Sequence, residues 1–262
     1  MASGAALSYK RAMADVPVGS CPLCQARDVR FALAKNGYDI FRCGACNFLF
    51  VAPYPRADEV RHYYNANYRA ASAAWYPKAG SRARRAFVKS FRFLRHARGR
   101  RVLDIGCGGG FMVRALARLG AEASGLDINA GGIAYARAHF PMCNFYCESL
   151  AEFGRRGLVF DLVLTTDLLE HLPGVDEFMT ALVAITKPGS LVYIATPDSG
   201  HPAVPPDLAA WVDVAPPEHL QWFDRRNIEL LFQRHGFALA RADKKRTPAH
   251  SLFFVRRGAV IG

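Results

Sequence analysis

Apolar residues fall in two rhythms along this chain. From Arg101 to Ala195, short continuous apolar runs alternate with stretches in which apolar residues recur every three or four positions. Val102–Ile105, Ala121–Leu126, Asn144–Cys147, Phe160–Thr166 and Ser190–Ala195 predict buried strands. Phe111–Leu119, Ile133–Phe140 and Val175–Thr186 predict the helices between them, stopped in turn by Gly120, Pro141 and the turn Lys187-Pro188-Gly189. Strand and helix in regular alternation predict an α/β fold with a mainly parallel sheet. Asp224 is placed to cap a helix Arg225–His235 that Gly236 ends. Phe237–Ala242 and Leu252–Arg256 then predict an antiparallel pair at the sheet edge.

Upstream the rhythm changes. Residues 1–19 are weakly patterned and read as a flexible tail. Phe31–Leu33 and Tyr38–Arg42 predict a hairpin, with Cys21-Pro22-Leu23-Cys24 before it and Cys43-Gly44-Ala45-Cys46 at its end. Eighteen residues separate the two Cys-x-x-Cys knuckles. That spacing matches a tetrahedral four-cysteine zinc site, in which four thiolates leave no position open to water, so the metal is expected to be structural. Residues 20–53 therefore read as a zinc ribbon. Residues 54–98 read as a helical linker: Asp58 is placed to cap a helix holding Val60, Tyr63 and Tyr64, with Tyr68 beyond. A second helix carries Ala83, Phe87, Phe91 and Leu94 at spacings of three and four. No acidic residue occurs from Lys78 to Arg101, so this helix has a basic outer face.

Composition narrows the classes. The chain has 262 residues, of which 51% are hydrophobic, enough for one good-sized core and a small module. No apolar run approaches the roughly 18 residues of a membrane span, and the start of the sequence has no secretory h-region. No membrane and a cytoplasmic location are the expectations. The net charge of +12 permits nucleic acid, an anionic small substrate or an acidic carrier protein as partner and chooses none. Cys107, Cys143 and Cys147 read as free thiols.

The chemistry centres on Val102-Leu103-Asp104-Ile105-Gly106-Cys107-Gly108-Gly109-Gly110-Phe111. Glycines after a strand leave backbone bare for a ligand to lie against. Asp104 at the strand end disfavours a pyrophosphate, and Phe111 stands where a dinucleotide fingerprint wants glycine or alanine, so an NAD enzyme is the weakest reading. A cationic ligand fits better. The run closely resembles the first motif of class I S-adenosylmethionine-dependent methyltransferases. That resemblance implies a Rossmann-like seven-stranded methyltransferase sheet with helices on both faces over residues 99–262. It also implies a cofactor site at Asp104, Gly106, Cys107, Gly108, Gly110 and Phe111, with Asp104 helping to hold the cofactor's amino group. Asp127, 23 residues after Asp104 at the second strand's end, is placed to accept both ribose hydroxyls, with Ile128 beside it. Glu148 and Ser149 stand where the family has adenine contacts, and Asp167 and Leu168 where cofactor meets substrate.

Methyl transfer from a sulfonium needs in-line positioning and, for a hydroxyl or carbon acid, a base. Pro217-Glu218-His219-Leu220, closing a proline-rich insertion (197–224) that reads as a lid, resembles a segment of ubiquinone-type O-methyltransferases and zinc-ribbon sugar C-methyltransferases. His219, with Glu218 beside it, is the first candidate base, and His171 the second. Glu170 and His171 resemble a pair found in small-molecule methyltransferases. Tyr63, Tyr64, His201 and Trp211 are candidates for lining an acceptor pocket. The sugar enzymes carry a further C-terminal domain, whereas this sequence reaches Gly262, which leaves C- and O-methylation both open. The expected partner is a small, possibly anionic, acceptor. An RNA methyltransferase gripping phosphates with ribbon and basic helix is the second reading, though the segment after the fourth strand lacks the Asn-Pro-Pro-Tyr form used on base amines. A non-catalytic zinc-ribbon adaptor is the third.

Overall fold

The computed structural model describes residues 19–56, 59 and 71–258. The readings at Asp58, Val60, Tyr63, Tyr64 and Tyr68, and residues 1–18 of the tail, lie outside the described residues.

Seven strands form the main sheet in the order β10-β11-β8-β7-β4-β5-β6. They are β4 (Arg101–Ile105), β5 (Glu122–Asp127), β6 (Asn144–Cys147), β7 (Phe160–Thr166), β8 (Thr186–Ala195), β10 (Phe237–Ala242) and β11 (Leu252–Arg256). β4 to β8 are parallel, and β11 runs antiparallel to both β8 and β10. The middle residues of the central strands are mostly apolar and buried because helices cover both faces. Leu103, Ile105, Val163 and Ile194 pack to one side with Phe178, Met179 and Phe232; Val102, Leu162 and Leu164 pack to the other with Val113, Leu116 and Ala136. Strand order reverses between β4 and β7, and their carboxyl ends open a crevice there, where ligands bind in doubly wound sheets.

The helices from residue 71 to residue 258 are α1 (Ala79–Ser90), α2 (Leu94–Ala97), α3 (Phe111–Arg118), α4 (Ala130–His139), α5 (Leu150–Gly154), α6 (Asp176–Ala184) and α7 (Arg225–Arg234). Boundaries shift from the sequence reading at several elements: α4 begins at Ala130, ahead of Ile133, and the basic segment breaks after Ser90 into α1, a 3₁₀ turn and α2. α6 stops at Ala184, and β8 begins at Thr186 and runs through Lys187-Pro188-Gly189 instead of starting after them. These residues bulge out of the β7–β8 ladder between the pairs Phe160–Thr186 and Leu162–Leu191. Gly189 supplies the left-handed backbone (φ +85°), and Ser190 Oγ ties the bulge down by accepting from Lys187 N–H and donating to Phe160 C=O.

A second sheet has the order β1-β2-β3-β9, with β1 (Val29–Lys35), β2 (Tyr38–Cys43), β3 (Leu49–Val51) and β9 (Gln221–Trp222). Its last strand comes from the end of the proline-rich insertion. Trp211, Val214, Leu220 and Trp222 are buried with Ile40, Leu49 and Val51, so this part of the insertion is packed onto the ribbon. α7 joins the two units: Asp224 caps it in a capping box with Asn227, and also accepts from Asn47 Nδ2. Asn227 Nδ2 donates to Cys46 C=O.

Candidate active site and cysteine centre

Three glycines of the loop after β4 adopt left-handed backbone: Gly106 (φ +76°), Gly108 (+52°) and Gly110 (+76°). Their surroundings differ. A Cβ on Gly110 would stand 2.7 Å from the Phe145 ring, so this position is needed for close packing of loop on sheet. A Cβ on Gly108 would stand 2.7 Å from the Tyr76 hydroxyl, while one on Gly106 would meet only Leu168, at 3.6 Å. Gly106 therefore presents its backbone to the crevice, with Leu168 alongside. Tyr76 lies over Gly108 and Gly109 and packs against Phe111 and Tyr135. Sequence reasoning passed over Tyr76, which sits in a stretch with no periodicity to mark it.

Asp104 is buried under this loop, and no donor among the described residues reaches its carboxylate. Burial, with the Asp127 carboxylate nearby, pushes it up to about 7. A buried carboxylate without a partner awaits a cation, and an amino group supplies one. Asp127, at the tip of β5, accepts from Gly108 N–H at 2.7 Å and Asn129 N–H at 2.8 Å; burial raises it too. Ile128 is exposed beside it. On the neighbouring strand, Cys147 pairs with Asp127. Glu148 and Ser149 follow at the same edge, with their polar atoms in local bonds: Glu148 takes a two-point contact from Arg156 (2.7 and 3.1 Å), and Ser149 forms the capping box of α5 with Glu152. Cys107 is buried, and its thiol is raised well above the usual range by burial, so no thiolate forms beside the loop.

Across the crevice, Asp167 ends β7 in left-handed backbone (φ +51°), uncommon for a residue other than glycine. Its N–H donates to Ala195 C=O. The short 3₁₀ turn Leu169–His171 follows. Glu170 is buried, accepts from Thr196 Oγ1 at 2.8 Å, and is pushed up to about 8 chiefly by burial. The turn is fastened to β9: Leu220 N–H donates to Glu170 C=O, and Gln221 Nε2 to Leu169 C=O. This brings His219 to His171, ring centroids 4.8 Å apart and edge to face. His171 Nδ1 donates to Glu218 C=O, and His219 Nδ1 to Asp213 C=O, both at 2.6 Å. A carbonyl can only accept, so each neutral ring carries its lone pair on Nε2. Burial lowers the His171 pKa, which keeps that ring neutral. Glu170, His171 and His219 can bring one ligand atom each to within 4.8 Å of one another.

Beside them lies a cavity of about 560 Å³, bounded by Asp167, Thr196, Pro205, Trp211, Asp213 and Pro248 among others. Trp211 lines this cavity. His201 does not, its ring being engaged by Lys245 C=O and Ala203 N–H. Asp213 and Thr196 had no sequence signal, because nothing local marks a loop aspartate whose carbonyl aligns a histidine six residues on.

The four cysteines converge as their spacing predicted. Cys21 and Cys46 Sγ are 3.7 Å apart, Cys24 and Cys43 Sγ 3.5 Å, and all four sulfurs lie within 4.8 Å of one another. Zinc bound tetrahedrally at about 2.3 Å would hold its sulfurs about 3.8 Å apart, so the donor set and spacing fit that ion. The hydrogen bond from Cys46 is the main cause that lowers the Cys21 pKa, and the same bond raises that of Cys46.

Residues 79–242 match the family model described as a methyltransferase domain, which spans more than half the chain. The chain belongs to this methyltransferase family. Among curated proteins, it is 41% identical over 105 residues to the ubiquinone biosynthesis O-methyltransferase of Brucella ovis, covering 37% of this chain and 41% of that protein. The corresponding protein of Sinorhizobium fredii is 39% identical over 106 residues, or 38% and 42% of the two chains. The chain thus spans less than half the length of the curated relatives it matches. In fold, this methyltransferase is similar to the magnesium protoporphyrin IX methyltransferase of Synechocystis PCC 6803 with bound S-adenosylhomocysteine (TM-score 0.54, 18% identity, 77% and 100% of the two chains). It is similar also to a methyltransferase of Streptomyces caelestis (TM-score 0.56, 16% identity, 66% and 90%). The seven-stranded Rossmann-like sheet expected from the sequence is the one the structure shows, and the Synechocystis protein of this fold binds S-adenosylhomocysteine.

Proposed function

We propose that this methyltransferase passes the methyl group of S-adenosylmethionine to an oxygen or carbon of a small biosynthetic intermediate. The observation that carries this reading is the His171–His219 pair, whose rings are aligned by the carbonyls of Glu218 and Asp213, the latter a residue of the cavity lining. The cofactor supplies an activated methyl group whose leaving thioether is neutral. The chain supplies the rest: Asp104 holds the cofactor's ammonium, Asp127 its ribose hydroxyls, and the bare backbone at Gly106 makes room for the methionine part. Ile128, Glu148 and Ser149 border the adenine. Leu168 and Asp167 separate cofactor from acceptor. His219 Nε2 takes the acceptor's proton, and His171 and Glu218 position that ring and its loop. A hydroxyl or carbon acid needs such a base, whereas a neutral amine nucleophile attacks without prior deprotonation.

The curated relatives are named as ubiquinone biosynthesis O-methyltransferases, which makes an O-methyl acceptor the first to test. A structural zinc ion on Cys21, Cys24, Cys43 and Cys46 fits the sulfur spacing and supplies a rigid corner to the ribbon. The test is incubation with S-adenosylmethionine and a panel of catechols, sugar nucleotides and bulk RNA, followed by mass spectrometry. Gain of a methyl group by a small molecule, abolished in His219→Ala, supports the reading. Methylation of RNA alone sinks it.

A further inference from the structure

Most large apolar side chains on a protein surface are scattered singly, and a contiguous group of them marks an interaction face. Phe87, Val88, Phe91 and Leu94 form such a group, each between 39% and 66% exposed. Three of them follow the spacing i, i+4, i+7 along α1 and the turn after it, and the rings of Phe87 and Phe91 meet edge to face at 5.1 Å. They are not displaced core residues. Ala86, Ser90, Phe93 and Ala97 fill the inward side of the same segment and are buried.

Cations frame this stripe. Arg84, Arg85, Lys89, Arg95 and Arg98 are exposed, and no carboxylate among the described residues pairs with them. Phe91 and Leu94 also line a groove of about 540 Å³ whose other lining residues are Arg92, Arg95 and Arg98. From the sheet side, Lys245 approaches Lys89 and Arg92. The Asp243 carboxylate on that side is taken by Arg241 at 2.7 Å and Arg92 at 3.5 Å.

We propose that α1 and the turn after it form a docking face for an anionic lipid bilayer. The segment lies flat in the interface, with Phe87, Val88, Phe91 and Leu94 dipped below the headgroups and the arginines and Lys89 on the phosphates. A polyanion such as RNA would satisfy the arginines but leave Val88 and Leu94 without an apolar partner. A second copy of the chain would set two unpaired cationic rims against each other. The binding differs in kind from a span: no helix among the described residues is long and apolar enough to cross a membrane.

The experiment is co-sedimentation of the full chain with vesicles of phosphatidylcholine alone, or of phosphatidylcholine with phosphatidylglycerol, at rising salt. The expected result is salt-sensitive pelleting with the anionic vesicles only. A Val88→Ser, Phe91→Ser variant keeps every charge and should bind those vesicles about tenfold more weakly, because the lost apolar burial has no substitute. An Arg84→Gln, Arg85→Gln, Lys89→Gln variant should lose about tenfold or more. Both should bind S-adenosylhomocysteine as the parent does, which shows that they fold. Equal pelleting of parent and the Val88/Phe91 variant overturns the proposal. So does RNA binding, or self-association that Phe91→Ser abolishes, in the absence of vesicle binding.

Discussion

His171 and His219 come from different segments of the methyltransferase domain, yet their rings stand 4.8 Å apart and each donates Nδ1–H to a carbonyl of the segment that ends in β9. One histidine follows a parallel strand of the catalytic sheet, and the other precedes the strand that completes the cysteine ribbon's sheet. The ribbon therefore does more than brace one end of the molecule: through β9 it sets where the candidate base stands.

Replacing His219 with Ala should lower turnover by about 10²–10⁴-fold, the usual worth of a positioned base, and leave S-adenosylhomocysteine affinity unchanged. His171→Ala should cost turnover too, by releasing the neighbouring ring. Calorimetry and single-turnover rates, measured once an acceptor is found, separate the two quantities. A fall in cofactor affinity for His219→Ala would place that residue on the wrong side of the crevice.

The ribbon's hold on β9 gives the cysteine site a distant effect. Cys43→Ser, or zinc removal by a chelator, should lower thermal stability and turnover while cofactor affinity holds, since the glycine loop draws nothing from the ribbon. Elemental analysis of the purified chain should find zinc, and Cys43→Ser should lose it.

The crevice carboxylates give a pH dependence. Asp104 ionises near 3.8 in an unfolded chain and about 7 when buried without a cation. Between those values the folded state holds the extra proton, so ligand-free stability falls as pH rises through that window. Glu170, moved to about 8, acts in the same direction from its ordinary value of 4.5. An ammonium beside Asp104 favours its charged form, so cofactor binding should strengthen as pH rises through about 7. Asp104→Asn should weaken S-adenosylhomocysteine binding about tenfold or more and flatten its pH response. Melting curves from acidic to mildly alkaline pH, with and without ligand, check both signs.

Two glycine substitutions should part company. Gly110→Ala drives a Cβ to 2.7 Å from Phe145 and 2.9 Å from the Ala136 Cβ, in left-handed backbone. It should destabilise the fold by about 2–4 kcal/mol. Gly106→Ala meets only Leu168 at 3.6 Å, so it should cost about 1 kcal/mol of stability but fill the space meant for the cofactor. Denaturant titration and calorimetry on the two variants test the contrast.

What could be read from the sequence was local. A strand ending in Asp104 before three glycines, an aspartate at the next strand tip, and two cysteine knuckles each declare their chemistry within a few residues. The pairing of Gln221–Trp222 with Leu49–Phe50 is not legible, because a two-residue strand has no periodicity and its partner lies far along the chain. The insertion could thus be read as a lid, while its second half is sewn to the ribbon. The sequence predicts α6 two residues too long because Ile185 continues its apolar rhythm, and the bulge at Gly189 hides a strand inside a turn signature. The Ser-x-x-Glu spacing of the capping box from Ser149 to Glu152 is legible in the sequence, whereas the ion pair of Glu148 with Arg156 depends on the turn of α5 between them.

A crystal structure with S-adenosylhomocysteine tests the central claim most directly. The account predicts the amino group beside Asp104, the ribose on Asp127, and the sulfur facing across Leu168 toward His219. An adenosyl ligand bound elsewhere, or a sulfur turned away from the His171–His219 pair, would contradict it.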